Sequence, residues 1–314
     1  MARINTEGGA AMKRILPLIV FLGLVISVPP SAQAKVNLFA CEPEWAALAR
    51  ELGGAGVEIF TATTPRQDPH HVRAKPSLIA AMRRADLVIC TGASLEVGWL
   101  PILLQKTGNA SVQPGGAGLL LAAELVPRME KPLRLDRAEG DIHPEGNPHV
   151  HLNPHNIALI AQALTQRLKT VDTANASAYQ ARLDVFSQKW RDATQRWEQQ
   201  AAGLKGTAIV VHHKAFTYLL AWLGIQEAGV LEPKPGIPPS ASHLEALLQK
   251  LTLSPARLIV RTPYDPADAG EWLSQKTGAP AIVLPFTVGG DAASGDLFAL
   301  FERSIALLKG ASGA

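Results

Sequence analysis

Three short segments of this chain combine histidine with proline or a strand end in a way that could hold a metal ion. Asp68-Pro69-His70-His71, Asn147-Pro148-His149-Val150-His151 and Val211-His212-His213-Lys214 carry six of the nine histidines. An imidazole from each of three separated loops suits zinc, which takes histidine nitrogen at about 2.0–2.1 Å in a tetrahedron. Magnesium and calcium ask mostly for oxygen. A single histidine is more often a surface or hydrogen-bonded residue, so the weight lies on the repetition. His70, His149 and His213 are the candidate ligands. His71 and His212 flank two of them and, as direct neighbours, point elsewhere, and His243 reads as a helix-surface residue. Three imidazoles and a water would also make a catalytic zinc site, in which the water reaches a pKa of about 7. Such a hydrolase needs a base, and neither His-Glu-x-x-His nor Gly-x-Ser-x-Gly occurs. Glu96 and Glu232 could lie near the cleft, but no spacing marks either as a base, and Glu96 also fits a first helical turn, where the dipole favours it.

Histidines so far apart in the chain meet only if the fold gathers the loops that carry them. Residues 36–40, 57–62, 86–91 and 117–122 read as strands, alternating with helices over 43–52, 75–84, 95–106 and 156–169. The pattern repeats later, with strands at 207–211, 226–231, 256–261 and 281–284 and helices at 215–223, 242–251, 267–277 and 296–309. Such alternation implies parallel sheets covered by helices, and four βα units are too few to close a barrel. The expected fold is α/β, with two open parallel-sheet (βα)4 lobes. Residues 35–173 form the first, 205–314 the second, and 174–204 a long, rigid linking helix. Tyr179, Leu183, Phe186, Trp190 and Trp197 recur there at helical spacing, for roughly 28 residues and about 42 Å. Ligand sites of open α/β sheets form at the carboxyl ends of strands, so the metal site is expected in the cleft between the lobes. Residues 127–147 have no period and read as a long loop.

The two cysteines cannot make a disulfide framework or an all-cysteine zinc site. Cys41 follows the first strand and Cys90 ends the third. With a doubly wound 2-1-3 order these strands are neighbours, which permits a Cys41–Cys90 disulfide; two buried thiols are the alternative.

Residues 1–34 read as an export signal. Lys13 and Arg14 precede a 14-residue apolar run, 15–28, too short to span a membrane. Ala32-Gln33-Ala34 then offers a signal-peptidase site, and either Met1 or Met12 could be the start. The mature chain of 280 residues would carry a formal charge of +1, the signal taking Arg3, Lys13 and Arg14 with Glu7 away from the total of +3. That excludes a nucleic-acid binder relying on a basic face. With 47% hydrophobic and 18% charged residues, neither a disordered nor a fibrous chain fits. The expected product is exported and monomeric, in an oxidising compartment such as the periplasm, with no lipid anchor because no cysteine follows the apolar run.

His70, followed six residues later by Pro76, resembles the first ligand motif of the cluster A-I solute-binding proteins of zinc and manganese ABC transporters. Asn147-Pro148-His149-Val150-His151-Leu152-Asn153-Pro154 is similar to the second, and His213-Lys214-Ala215-Phe216-x-Tyr218 to the third. Glu232-Pro233-Lys234-Pro235-Gly236-Ile237-Pro238-Pro239 and Thr287-Val288-Gly289-Gly290 resemble segments of the zinc branch. The resemblance spans the mature chain. It implies a periplasmic protein that captures Zn2+, one per chain, through His70, His149 and His213. Delivery would be to the membrane permease of an ATP-driven importer, with no enzymatic turnover. Manganese members usually carry glutamate where His213 stands, so the third histidine favours zinc, although Mn2+ or Ni2+ specificity stays open. Two departures matter. Val283-Leu284-Pro285-Phe286 lacks the aspartate that many members use as fourth ligand, so Asp291 or a water must close the site. The long histidine-rich loop of some zinc members is reduced to His143, which with His151 and His155 could form a recruiting patch for metal.

Overall fold

A computed structural model describes residues 34–132 and 143–313, together with Asn5, Gly8 and Gly9. The chain divides into two units, residues 1–34 and 35–314. The export-signal reading falls on residues almost wholly outside the described ones, and everything below concerns the second unit. No helix among the described residues is long and apolar enough to cross a membrane.

Among the described residues, eight strands form two four-stranded sheets. The first contains β1 (Val36–Ala40), β2 (Val57–Thr61), β3 (Leu87–Cys90) and β4 (Leu119–Leu121), in the order β2-β1-β3-β4. The second contains β5 (Ala208–Val211), β6 (Gln226–Val230), β7 (Leu258–Arg261) and β8 (Ala281–Val283), in the order β6-β5-β7-β8. All pairings are parallel. The central strands β3, β5 and β7 are almost entirely buried, which is why they read as apolar runs, broken only by Arg261 at the end of β7.

The covering helices are α1 (Pro43–Gly53), α2 (Pro76–Arg84), α3 (Leu100–Thr107) and α4 (Pro154–Val171) in the first half. In the second they are α6 (Thr217–Leu223), α7 (Ala241–Leu253), α8 (Asp268–Thr277) and α9 (Leu297–Ser312). Helix α3 starts five residues later than its apolar pattern suggests. Gly92, Ala93 and Ser94 all take positive φ, at 77°, 49° and 63°, and the chain must unwind from this left-handed stretch before a helix can begin.

Between the halves runs α5 (Ala176–Gln200), 25 residues long. Its apolar stripe is the expected one: Tyr179, Leu183, Phe186, Trp190 and Trp197 are buried. It packs against α1 and α4 of the first half and α9 of the second. Phe186 stacks on Trp190 at 5.3 Å and Trp197 on Phe301 at 5.1 Å, while the Trp190 indole N–H donates to the Pro154 carbonyl at 2.8 Å. One hydrophobic cluster therefore runs from β1 and α1 through α5 to α9. The helix is less a free connector than a shared wall, and a hinge there would have to break aromatic packing.

Cys41 and Cys90 are joined by a disulfide, with their Cα atoms 4.8 Å apart at the carboxyl ends of adjacent strands. The alternative of two buried thiols falls.

Candidate metal centre

His70, His149 and His213 each offer a ring nitrogen, and these three atoms all lie within 4.8 Å of one another. Their ring centroids are 5.6 to 5.8 Å apart, with every pair of ring planes near perpendicular. Each ring arrives on a loop that is pinned independently.

The turn of His70 (Pro69–His71) is capped by Asp68, whose Oδ1 accepts the His70 backbone N–H at 2.9 Å. The same oxygen accepts from His70 Nδ1 at 2.7 Å. A carboxylate can only accept, so Nδ1 carries the hydrogen and Nε2 presents its lone pair. Burial works against the Asp68 charge, yet its bonds to His70 hold the carboxyl below its ordinary range. Trp99 ties the turn down from the other side, its indole N–H donating to the Pro69 carbonyl at 3.0 Å.

His213 sits at the carboxyl end of β5, and its Nδ1 donates to Glu232 Oε2 at 2.7 Å. Burial disfavours the charged ring, but the Glu232 carboxylate outweighs it and raises the His213 pKa. Glu232 leaves the end of β6 and also accepts the Gly236 N–H at 3.0 Å. Glu232 is thus an orienting group rather than a catalytic base.

His149 is 1% exposed, and neither ring nitrogen has a hydrogen-bond partner among the described residues. Burial, then the like charges of His213 and His70, holds its pKa well below the ordinary value. Asn147 Oδ1 accepts the His149 backbone N–H at 3.0 Å, and Asn147 Nδ2 donates to the Lys214 carbonyl at 2.8 Å, beside His213. The Tyr218 hydroxyl donates to the Asn147 carbonyl at 2.8 Å. Tyr218, the last residue of the third motif, thereby locks the loop of the second.

Four expected sites come out differently. Asp291 is not in the cluster: its carboxylate accepts from Arg303 Nε at 2.6 Å, a partner twelve residues on in α9, and its backbone caps its own loop. His151 is not on a recruiting surface. It is 1% exposed, its Nε2–H donates to the Phe286 carbonyl at 2.8 Å, and its Nδ1 faces Glu44 Oε1 at 3.4 Å. It lies in a 3-10 turn (Val150–Leu152) that carries it inward. Glu96 lies ahead of α3, buried, with its carboxylate accepting the Thr91 and Gly92 N–H groups at 2.6 and 2.9 Å. Burial pushes its pKa up to about 7, although the backbone N–H groups favour its charged form. His243 is half-buried, bonded to the Val230 carbonyl at 3.0 Å. Only His155 of the proposed patch is a surface residue, 3.2 Å from Glu198. His143 stands next to the cluster, its Nε2 3.1 Å from that of His70 and its Nδ1 3.1 Å from the Ala93 carbonyl. Burial lowers its pKa to about 3.

Two four-stranded parallel sheets, a long helix and imidazoles gathered at strand ends define an α/β binding protein for a divalent metal ion. The family described as "ZnuA: Zinc-uptake complex component A periplasmic" matches residues 39–311, and the chain belongs to it. It is thus a metal-binding substrate-binding component of an ABC transporter and not an enzyme. Among curated relatives, the metal ABC transporter substrate-binding lipoprotein ScbA of Streptococcus cristatus is 22% identical over 244 residues, 76% of each chain. Among solved structures, ZnuA superposes with a TM-score of 0.73 at 20% identity, covering 89% of this chain and all of that one. The SBP FpvC of Pseudomonas aeruginosa in complex with Mn2+ gives 0.70 at 18% identity, covering 87% and 96%. These likenesses support the shared fold.

Proposed function

We propose that this chain captures Zn2+ outside the cytoplasm, after export by the signal in residues 1–34, and hands it to the membrane permease of an ATP-driven importer. Its ligands are His70, His149 and His213. The observation that carries the reading is the convergence of these three imidazoles, two with Nδ1 held by a carboxylate and one buried with no hydrogen-bond partner among the described residues. Carboxylate-held histidine is the usual outer support of a metal ligand, fixing tautomer and ring angle. An all-nitrogen donor set suits zinc better than manganese, which prefers oxygen.

The test is a titration of the mature chain with zinc against a competing chelator. One ion per chain, with Mn2+ bound far more weakly, is expected; an affinity of micromolar or weaker would sink the reading. Glu232→Ala leaves the His213 ring unsupported, and a 10- to 100-fold loss of zinc affinity is expected, measured in the same competition assay.

Proton competition gives a further expectation. A histidine ligates only when neutral, so each protonated ligand weakens apparent binding about tenfold per pH unit below its pKa. His213 has its pKa raised by Glu232. Zinc affinity should therefore begin to fall at a pH above about 6.5, the ordinary histidine value. In Glu232→Gln, which removes the charge, the break should move to lower pH. A wild-type profile flat down to about pH 5 would contradict this.

A further inference from the structure

The contact between His70 and His143 has an electrostatic problem that a cation solves. His70 Nδ1 donates to the Asp68 carboxylate at 2.7 Å. His143 Nδ1 lies 3.1 Å from the Ala93 carbonyl, which can only accept, so it too carries the hydrogen. In the neutral rings both Nε2 atoms are then bare lone pairs, and they face each other at 3.1 Å. Two bare acceptors at that distance repel unless a proton or a metal ion lies between them. In a zinc tetrahedron with bonds of about 2.0–2.1 Å, two donor atoms are roughly 3.3 Å apart. The observed separation is close to that edge. The His143 ring centroid lies 5.1 Å from that of His70 and 6.4 Å from that of His149, just outside the cluster of three.

The position of His143 is built rather than incidental. The His143 carbonyl accepts the Gly146 N–H at 3.0 Å, closing a tight turn. Gly146 has φ of 108°, and a Cβ there would lie 2.7 Å from the Met129 carbonyl oxygen, so the turn requires glycine. Inside the turn, Glu145 accepts from the Ser94 hydroxyl at 2.9 Å, and its carbonyl accepts from Arg128 Nε at 2.8 Å. The receiving carbonyl belongs to Ala93, in the left-handed stretch of Gly92, Ala93 and Ser94. Positive φ at two non-glycine residues is strained backbone, kept where a site needs it. Here it aims the Ala93 carbonyl at the ring. The carbonyl does for His143 what the Asp68 and Glu232 carboxylates do for His70 and His213.

The geometry points to His143 as a fourth ligand, so that the cargo ion is held by four imidazole nitrogens with no carboxylate and no water. This rests on the three-histidine reading above. It also accounts for the two departures in the sequence: the carboxylate missing from the segment after β8 is replaced from the other half of the molecule, and Asp291 is free to pair with Arg303. Four neutral donors leave the bound ion its full positive charge within the donor set. That favours the borderline ions Zn2+, Ni2+ and Co2+ over the oxygen-seeking Mn2+.

X-ray absorption at the zinc edge of the unmutated, zinc-loaded chain tests this without any substitution. Scattering from four imidazoles and no oxygen neighbour is expected; three imidazoles with one oxygen would overturn the proposal. In His143→Ala the spectrum should change to three nitrogens and an oxygen, with zinc affinity at least about tenfold weaker. His213→Ala is the reference. If it loses zinc while His143→Ala binds as the unmutated chain does, the fourth ligand is refuted and the three-histidine site stands. If both variants keep zinc unchanged, the three-histidine reading itself fails.

Discussion

Replacing His149 with leucine is expected to abolish tight zinc binding and, at the same time, to stabilise the metal-free protein. The two effects share one cause. His149 is buried, and among the described residues both its ring nitrogens are unpartnered, a state that water or a metal would relieve. An unsatisfied buried polar group costs about 1–3 kcal/mol, and an apolar side chain of similar volume removes that cost. Leucine would keep the contact with the Phe286 ring, now 5.2 Å from the imidazole centroid. In the metal-free form His149→Leu should therefore gain about 1–3 kcal/mol, a rise of several degrees in melting temperature. Zinc affinity should fall by at least about 100-fold, because losing a supporting residue alone costs 10–100-fold and this is a ligand. Thermal melts with and without zinc read both effects. The wild type should be strongly shifted upward by zinc and the variant by at least about 2.7 kcal/mol less at saturating zinc. A variant that melts lower than wild type without metal would show that the imidazole is stabilising in its own right, and the trade-off would be wrong.

The second large effect is expected from the disulfide. Cys41 and Cys90 are separated by 49 residues, and the bond between them removes loop-closure entropy from the unfolded chain. For a loop of that length the entropy model gives about 4 kcal/mol. Cys41→Ala combined with Cys90→Ala, or reduction of the folded protein, should lower stability by roughly that amount, about 8–16 °C in melting temperature for a chain of this size. The bond clamps the carboxyl ends of β1 and β3. Beyond β3 the chain enters the left-handed turn that supports His143, and the Cys41 carbonyl accepts both the Thr63 N–H at 3.1 Å and its hydroxyl at 2.9 Å, at the start of the loop to His70. Zinc titration of the reduced variant should therefore show weaker binding as well. Denaturant unfolding curves that coincide with those of the oxidised protein would remove the bond from any structural role.

Much of this molecule is legible in its amino-acid order, for a simple reason. Strands buried on both faces must be largely apolar: β3 and β5 are unbroken apolar runs, and β1 and β7 are broken only by Asn37, which is exposed, and by Arg261 at the strand end. A helix with one buried face must repeat every three or four residues, as Tyr179, Leu183, Phe186, Trp190 and Trp197 do. Parallel alternation brings strand ends to one side, so His70, His149 and His213 could be picked from their place in the pattern. Asp68 was within reach too, as part of the first motif. Glu232 lies in a segment that resembles the zinc branch, but its role shows only in the bond to His213.

Loops carry no such periodicity, and there the sequence order misleads. Alternate residues of the second motif look equivalent, yet His149 faces the ion site while His151 turns into the protein to meet Phe286 and Glu44. Asp291 looked available because its partner, Arg303, lies twelve residues away on α9. The sequence by itself determined the two-sheet α/β architecture, the neighbouring cysteines and the three histidines that meet at the strand ends, because local periodicity and chain topology suffice for those. Only the tertiary structure decided which nitrogen of His70 and of His213 is free, that Asp68 and Glu232 hold the other one, and that His143 comes to face His70. Those depend on side-chain contacts between residues as much as 73 apart in the chain, a separation over which no sequence pattern carries directional information.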